Sequence, residues 1–358
     1  MAPLLNKITD RLNRPLRDLR ISITDRCNFR CVYCMPKEVF GRDHPFLYRE
    51  KILRFEEIAR VARIFVSLGA KKVRITGGEP LLRKEVEKLI AMLAQIPGLT
   101  TTLTTNGAHL AEKASVLKEA GLSRITVSLD SLDDTVFCEM NDVDFPVARV
   151  LSGIDRAAQV GFTPIKINAV IKRGVNDESI LPLARAFRGT GHIIRFIEYM
   201  DVGQTNGWRM DDVVSASEII KIIDSEMPIT PIDPNYQGEV ATRWRYCDNS
   251  GEIGIIASVT QPFCRDCHRA RLSADGKLFT CLFATDGHDL LGPLRSGATD
   301  QQITDLIINI WQRRNDRYSE TRTAGGGQTL PLGIELPSAA AKRPLADTKK
   351  VEMSYLGG

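Results

Sequence analysis

Between residues 19 and 199, short apolar runs alternate six times with amphipathic stretches, a rhythm that few folds accommodate. The expected strands cover residues 19–24, 72–76, 101–105, 125–129, 165–170 and 194–199. Between them, residues 55–68, 84–95, 111–120, 147–160 and 179–187 place apolar side chains at three- and four-residue spacing, as helices do. Gly69, Gly121 and Gly161 stand where helix C-caps belong. Strand–helix–strand units cross over right-handed and produce a parallel sheet. Six such units predict an α/β fold: an incomplete (βα)6 TIM-like barrel, open on one side, whose reactive face is built by the loops after the strands.

After Gly203 the pattern changes. Residues 215–224 read as one more helix, residues 239–246 and 253–258 as strands, and Ser273-Ala274-Asp275-Gly276-Lys277 as a hairpin turn. The expected organisation is a barrel over residues 1–203 and a C-terminal α+β extension over 204–321 that covers the open side. A flexible tail over 322–358, ending in Gly-Gly, completes it. Composition agrees with an ordinary enzyme: 43% apolar residues supply a sizeable core. The net charge of +4 is too small and dispersed to argue for nucleic acid, yet suits a small anionic substrate. No apolar run approaches a membrane span and no secretory signal is evident, so a cytoplasmic location is expected.

Six of the 8 cysteines fall into two triads. Cys27, Cys31 and Cys34 follow the first expected strand, and Cys264, Cys267 and Cys281 flank the hairpin. Structural zinc takes four tetrahedral ligands, whereas three thiolates can hold three irons of a cubane and leave the fourth open. Zinc remains the alternative, with His268 as a fourth ligand for the second triad. Cys138 and Cys247 read as small buried hydrophobes.

Other motifs sit at strand ends. Gly77-Gly78-Glu79-Pro80 lets backbone approach a ligand closely or forms a structural turn. Thr104-Thr105 and Ser128-Leu129-Asp130 either bind a ligand or cap the helices that follow. Lys166 lies within an apolar strand pattern, where a cation needs an anionic ligand or a neighbouring carboxylate. In Arg269-Ala270-Arg271 the two guanidiniums share one strand face and can clamp phosphate oxygens.

The cysteine loop Cys27-x-x-x-Cys31-x-x-Cys34 resembles that of the radical S-adenosylmethionine (SAM) superfamily, and Gly77-Gly78-Glu79-Pro80 resembles that family's turn for the SAM amino group. With the block from Phe263 to Leu282 and the terminal Gly357-Gly358, the set resembles the GTP 3′,8-cyclases that open molybdenum-cofactor biosynthesis. The resemblance implies a lyase with two four-iron (4Fe-4S) clusters, held by Cys27, Cys31 and Cys34 and by Cys264, Cys267 and Cys281. It also implies SAM contacts from Tyr33, Gly78, Ser128 and Met200. GTP would be held by Arg20, Arg74, Thr105, Lys166, Arg269, Ala270 and Arg271, and Gly357 and Gly358 would take part in catalysis. By the same resemblance, a 5′-deoxyadenosyl radical takes hydrogen from C3′ of the ribose, and the ribosyl radical attacks C8 of guanine. An electron donor such as flavodoxin or ferredoxin, cyclic pyranopterin monophosphate synthase as the next enzyme, and a homodimer are further implied. His268 departs from the family's usual asparagine. A radical-SAM peptide-modifying enzyme and a two-cluster electron carrier are the rival readings.

Overall fold

The computed structural model describes residues 8–322 and 350–357. The six expected strands form as β1 (Asp18–Ser22), β2 (Lys72–Thr76), β3 (Thr100–Thr105), β4 (Arg124–Ser128), β5 (Lys166–Ile171) and β6 (Ile193–Glu198), paired consecutively and in parallel. The expected helices form as α1 (Phe55–Ser67), α2 (Val86–Ala94), α3 (Leu110–Glu119), α5 (Val147–Gln159) and α6 (Ile180–Phe187). A short helix, α4 (Asp134–Asn141), precedes α5 and was not expected from the apolar pattern. In α1, Ile58, Val61, Ala62 and Phe65 repeat on one face and are buried, while Glu57 accepts the Arg54 N–H at 2.7 Å and closes the first turn.

Beyond β6 come α7 (Ala216–Asp224) and an antiparallel meander of β7 (Ile229–Ile232), β8 (Thr242–Tyr246) and β9 (Glu252–Ile256). A second meander follows, of β10 (Arg269–Leu272), β11 (Lys277–Phe279) and β12 (His288–Asp289). The chain then forms α8 (Leu291–Arg295), α9 (Asp300–Arg313), α10 (Tyr318–Arg322) and, near the C-terminus, α11 (Met353–Leu356). The extension does more than lie over an open side. Its β9 pairs in parallel with β6, and its β10 pairs in parallel with β1, so among the described residues all 12 strands form one sheet. The reason is general: an unpaired strand edge exposes a row of N–H and C=O groups, and both edges of the six-stranded unit are satisfied this way.

Alternate residues of the parallel strands face the helices or the barrel interior. Leu19, Ile21, Val73, Ile75, Leu103, Val127, Ile167 and Phe196 are buried in the apolar core. The intervening positions differ in kind. Interiors of complete barrels are packed with branched aliphatic side chains, whereas here Arg20, Arg74, Lys166 and Arg195 occupy interior positions. Among the described residues no helix is long and apolar enough to cross a membrane.

One buried carboxylate joins the two parts of the chain. Glu198, at the end of β6, accepts N–H groups from Ala216 at 2.8 Å, Val259 at 2.7 Å and Thr260 at 2.9 Å. It thus binds the first residue of α7, where the helix dipole favours an anion, and the turn after β9. Replacing Glu198 with Ala strands the buried N–H groups of Ala216 and Val259 and should lower unfolding stability by about 3 kcal/mol. The midpoint in guanidinium denaturation measures it.

Candidate functional site

The first cysteine triad is held by the backbone of the strand beside it. Gly78 donates to the Thr24 carbonyl and Glu79 to the Arg26 carbonyl, both at 2.8 Å, so the turn after β2 runs along the loop after β1. A Cβ on Gly78 would overlap the Arg26 carbonyl, so only glycine allows this approach. Within the loop, Cys34 and Met35 donate to the Cys31 carbonyl at 2.9 and 2.8 Å, which folds the last two cysteines onto one turn. Arg30 and Val32 donate to the carbonyls of Asn141 and Met140, anchoring the loop on the C-terminal end of α4. Burial pushes the Cys27 thiol up to about 12, with Glu79 adding to the shift. Cys31 and Cys34 are also raised by burial and by the Cys27 charge beside them. Three thiols that share one another's field in an apolar setting stay protonated until a cation displaces their protons.

Two buried carboxylates brace this face. Glu79 is 1% exposed and accepts from Leu81 N at 2.9 Å, Thr105 Oγ1 at 2.8 Å and Asn106 N at 2.8 Å, which locks the Gly-Gly turn to the end of β3. Burial raises its carboxyl to about 7 against those hydrogen bonds. Asp130, just past β4, accepts the Tyr33 phenol at 2.9 Å and Val170 N at 2.8 Å, and burial raises it to about 6. Tyr33 is therefore oriented by a hydrogen bond in addition to packing with Met140 and Tyr199. Ser128 ends β4, and Met200 follows β6 with its carbonyl bound by Asn206.

Inside the barrel the cations form a continuous patch. In strand register, Arg20 lies opposite Arg271 on one side and Arg74 on the other. Arg269 precedes Arg271 by one strand period, and Lys166 and Arg195 face inward from the far wall. Arg74 donates to the hydroxyls of Thr104 at 2.8 Å and Thr126 at 3.2 Å, and Arg195 to Asn168 Oδ1 at 2.7 Å. Gly254 stands opposite Arg195, where a Cβ would come within 2.9 Å of its side chain. Burial, then mutual repulsion, lowers Lys166 to about 8, Arg195 to about 9 and Arg271 to about 10. Among the described residues the Nε atoms of Arg195, Arg269 and Arg271 are buried without a hydrogen-bond partner. Unpaired buried donors of one sign are the signature of an anion site. Of the residues expected here, Arg20, Arg74, Lys166, Arg269 and Arg271 come together. Thr105 does not join them, since its hydroxyl serves Glu79, and the Ala270 side chain packs into the core on the opposite strand face.

The second triad lies next to this patch. Cys264–Asp266 form one helical turn, with Cys267 donating to the Cys264 carbonyl at 3.2 Å. The hairpin from β10 to β11 returns the chain to Cys281. Arg269 and Arg314 donate to Cys267 Sγ at 3.1 and 3.2 Å, and Arg314 also binds the Cys267 carbonyl at 2.6 Å. Burial would raise the Cys267 thiol, but Arg269, Arg314 and Arg271 outweigh it and bring it to about 6. Asp10 holds Arg314 and Arg14 at 3.2 and 2.6 Å, and Arg14 binds the Cys264 carbonyl at 2.7 Å. Among the described residues no three His, Cys, Asp or Glu side chains converge on a single ion. Cubane ligation puts each thiolate on a different iron and needs no such convergence. His268 is buried beside Asp18, 3.9 Å away, and against Gly238. Cys247 is exposed in the turn after β8, contrary to the expectation of burial.

The C-terminal segment reaches the same face. Leu356 is fully buried, and a Cβ on Gly357 would overlap Thr76 at the end of β2. Gly358 lies outside the described residues, as do residues 323–349 of the expected tail. Sequence reasoning missed Arg195, Arg314, Arg14 and Asp10. Arg195 carried a usable signal, the same cation-in-an-apolar-strand pattern as Lys166. The other three are distant in sequence from any motif.

A family model described as the Radical SAM superfamily matches residues 21–187, and one described as Molybdenum Cofactor Synthesis C matches residues 192–320. A protein of Acidothermus cellulolyticus named GTP 3′,8-cyclase is 54% identical, over 98% of this chain and 99% of its own. A Staphylococcus aureus protein of the same name is 47% identical, over 99% and 100%. Among solved structures, Streptococcus suis SuiB bound to S-adenosylmethionine is 15% identical with a TM-score of 0.59, over 82% of this chain and 68% of that one. That likeness is one of fold.

Replacing Arg314 with Met removes two of the hydrogen bonds to Cys267. In cluster-free protein the pH midpoint for alkylation of Cys267 should then move upward from about 6. Iodoacetamide labelling across pH 5–9, read by mass spectrometry, measures the shift.

Proposed function

Since the chain belongs to the GTP 3′,8-cyclase family of radical SAM enzymes, we propose that it converts GTP to (8S)-3′,8-cyclo-7,8-dihydroguanosine 5′-triphosphate, the first step of molybdenum-cofactor biosynthesis. One observation carries the reading: a barrel interior lined by buried cations with orphaned donors, set between two thiol triads. In this reading Cys27, Cys31 and Cys34 hold a 4Fe-4S cluster with one open iron for SAM, and the Gly78 cradle and mutually coupled thiols fit it. Cys264, Cys267 and Cys281 hold a second cluster, a role supported by the N–H donors aimed at Cys267. When bound, the first cluster and SAM supply hydrogen abstraction from the ribose, and the second cluster supplies an iron for the guanine.

The chain's own residues do the positioning. Tyr33, Gly78, Ser128 and Met200 bind SAM, with Asp130 fixing the Tyr33 ring and Glu79 fixing the turn. Arg20, Arg74, Lys166, Arg269 and Arg271, joined by Arg195, bind the triphosphate. Thr105 contributes through Glu79, and Ala270 through its backbone between the two arginines. Gly357 enters beside Thr76, where a side chain would collide, and in this reading Gly358 acts with it in catalysis. In this reading the protein's task is to orient the reactants and exclude water from a reactive centre. Flavodoxin or ferredoxin as electron donor, cyclic pyranopterin monophosphate synthase as the next enzyme, a homodimer and a cytoplasmic location complete the proposal.

The decisive assay is anaerobic SAM cleavage by reconstituted protein with and without GTP. Stimulation by GTP with formation of the cyclised nucleotide supports the reading, and cleavage indifferent to GTP overturns it. Changing Arg271 to Ala should weaken GTP binding by about 1.5–3 kcal/mol per charge-assisted bond lost, as measured by equilibrium dialysis.

Lys166 supplies a pH signature. Its ammonium is lowered to about 8, so it is charged below that pH and neutral above it. GTP affinity should therefore fall between pH 7 and 9. In Lys166→Met, affinity should be lower at pH 7 and the decline shallower, which titration calorimetry at several pH values reads directly.

A further inference from the structure

Besides its last glycines, the C-terminal segment carries a set of docking contacts. Asp201 follows β6 and is 8% exposed. Its Oδ2 accepts the Tyr318 phenol at 2.6 Å and the Lys350 ammonium at 3.1 Å, and its Oδ1 accepts the Arg322 guanidinium. Lys350 also donates to the Tyr318 hydroxyl, and Arg322 to the Ser258 carbonyl at 3.0 Å. Two residues on, Glu352 accepts Gln204 N at 3.0 Å and Thr205 Oγ1 at 2.9 Å. A Cβ on Gly203 would overlap that carboxylate, so the loop after β6 is shaped to admit it. On the other flank, Val351 N bonds the Ala284 carbonyl at 3.3 Å, and the Tyr355 ring meets Phe279 edge-on at 6.2 Å. The segment is therefore stitched to the loops after β6 and after β11, which lie on the two sides of the barrel's opening.

We propose that Asp201 and Glu352 are positioning residues for the cyclisation: they set the register in which the C-terminal segment crosses the opening, and so deliver Gly357 to Thr76. The inference rests on the reading that the terminal glycines take part in the reaction. Charge arrangement is the reason to single out Asp201. One carboxylate neutralises two cations from separate parts of the chain, and without it Arg322 and Lys350 repel each other at close range. Glu352 acts two residues downstream, close enough that losing its hold displaces the backbone leading to Gly357.

Reconstituted full-length enzyme tests this with Asp201→Asn, Glu352→Gln, the conservative Asp201→Glu, and a truncation lacking Gly357 and Gly358. Hydrogen–deuterium exchange of residues 350–356 should rise about tenfold in Asp201→Asn and Glu352→Gln, with exchange in β2 and β3 unchanged. Cyclised product formed per 5′-deoxyadenosine should fall in both variants and recover in part in Asp201→Glu. Unchanged exchange, or raised exchange with an intact product ratio, overturns the proposal. The truncation separates the two ideas. If it leaves the product ratio intact, the role of the glycines fails, and the positioning claim falls with it even where exchange shows the segment docked. If it collapses the ratio while Asp201→Asn and Glu352→Gln keep theirs, the glycines act but are positioned by something else.

Discussion

Burying positive charge without an equal number of carboxylates is the constraint on which the rest of this structure depends. Moving a guanidinium from water into a protein interior is unfavourable unless a partner of opposite charge is supplied. Arg20, Arg74, Arg195 and Arg271 are all lowered by burial, and each lies close to others of its kind. The fold tolerates this because the opposite strand faces are largely apolar, with Leu19, Ile21, Val73, Ile75, Leu103, Val127, Ile167 and Phe196 buried in the core. Much of what looks like fine detail, from the Arg74 bonds with two threonines to the Arg195 bond with Asn168, holds these groups apart and fixed. The interior is thereby a fixed array of cations with donors left unpaired.

The cysteine loops solve the reverse problem. Three thiols crowded in apolar surroundings resist ionisation, and their loop is kept in shape by main-chain bonds to the turn after β2 and to α4, with the Arg30 side chain donating to the Cys27 and Phe29 carbonyls. The second triad is treated differently, with Arg269 and Arg314 aimed at Cys267 and Asp10 steadying Arg314 and Arg14. The two triads thus sit in unlike electrostatic environments, one beside the carboxyls of Glu79 and Asp130 and one beside the guanidiniums of Arg269, Arg271 and Arg314. Hydrogen bonds and charge around cluster sulfurs are main levers on reduction potential.

Local pattern made the barrel legible in the sequence, because period-two and period-3.6 apolar repeats depend on residues close in the chain. The strands of the first half and most helices between them appear within a residue or two of their expected ends. What escaped was decided by partners far away. That β9 would pair with β6 and β10 with β1 follows from unsatisfied strand edges, which no local window displays. Among site residues, the cysteines and Arg269-x-Arg271 were visible through spacing, and Lys166 through a charge in an apolar run. Thr105 shows the limit of such reasoning. One residue of strand register separates it from Thr104, and that step turns its hydroxyl from the interior to Glu79. Arg314 and Asp10 act on Cys267 from opposite ends of the chain, so only the folded structure brings them to it.

The pairing of β10 with β1 bears on how the chain can be made. As synthesis proceeds from the N-terminus, β1 through β6 emerge first, yet the strands that satisfy both outer edges arrive only after residue 250. Until then a nascent sheet has two open edges and a charged, unlined hollow, a species prone to mispairing. Asp10 and Arg14 likewise wait for Arg314 before their buried network is complete. The first thiol loop thus exists early, while the walls around it close late. Premature release before β9 and β10 are made would leave the first cysteine loop on a sheet with both outer edges open.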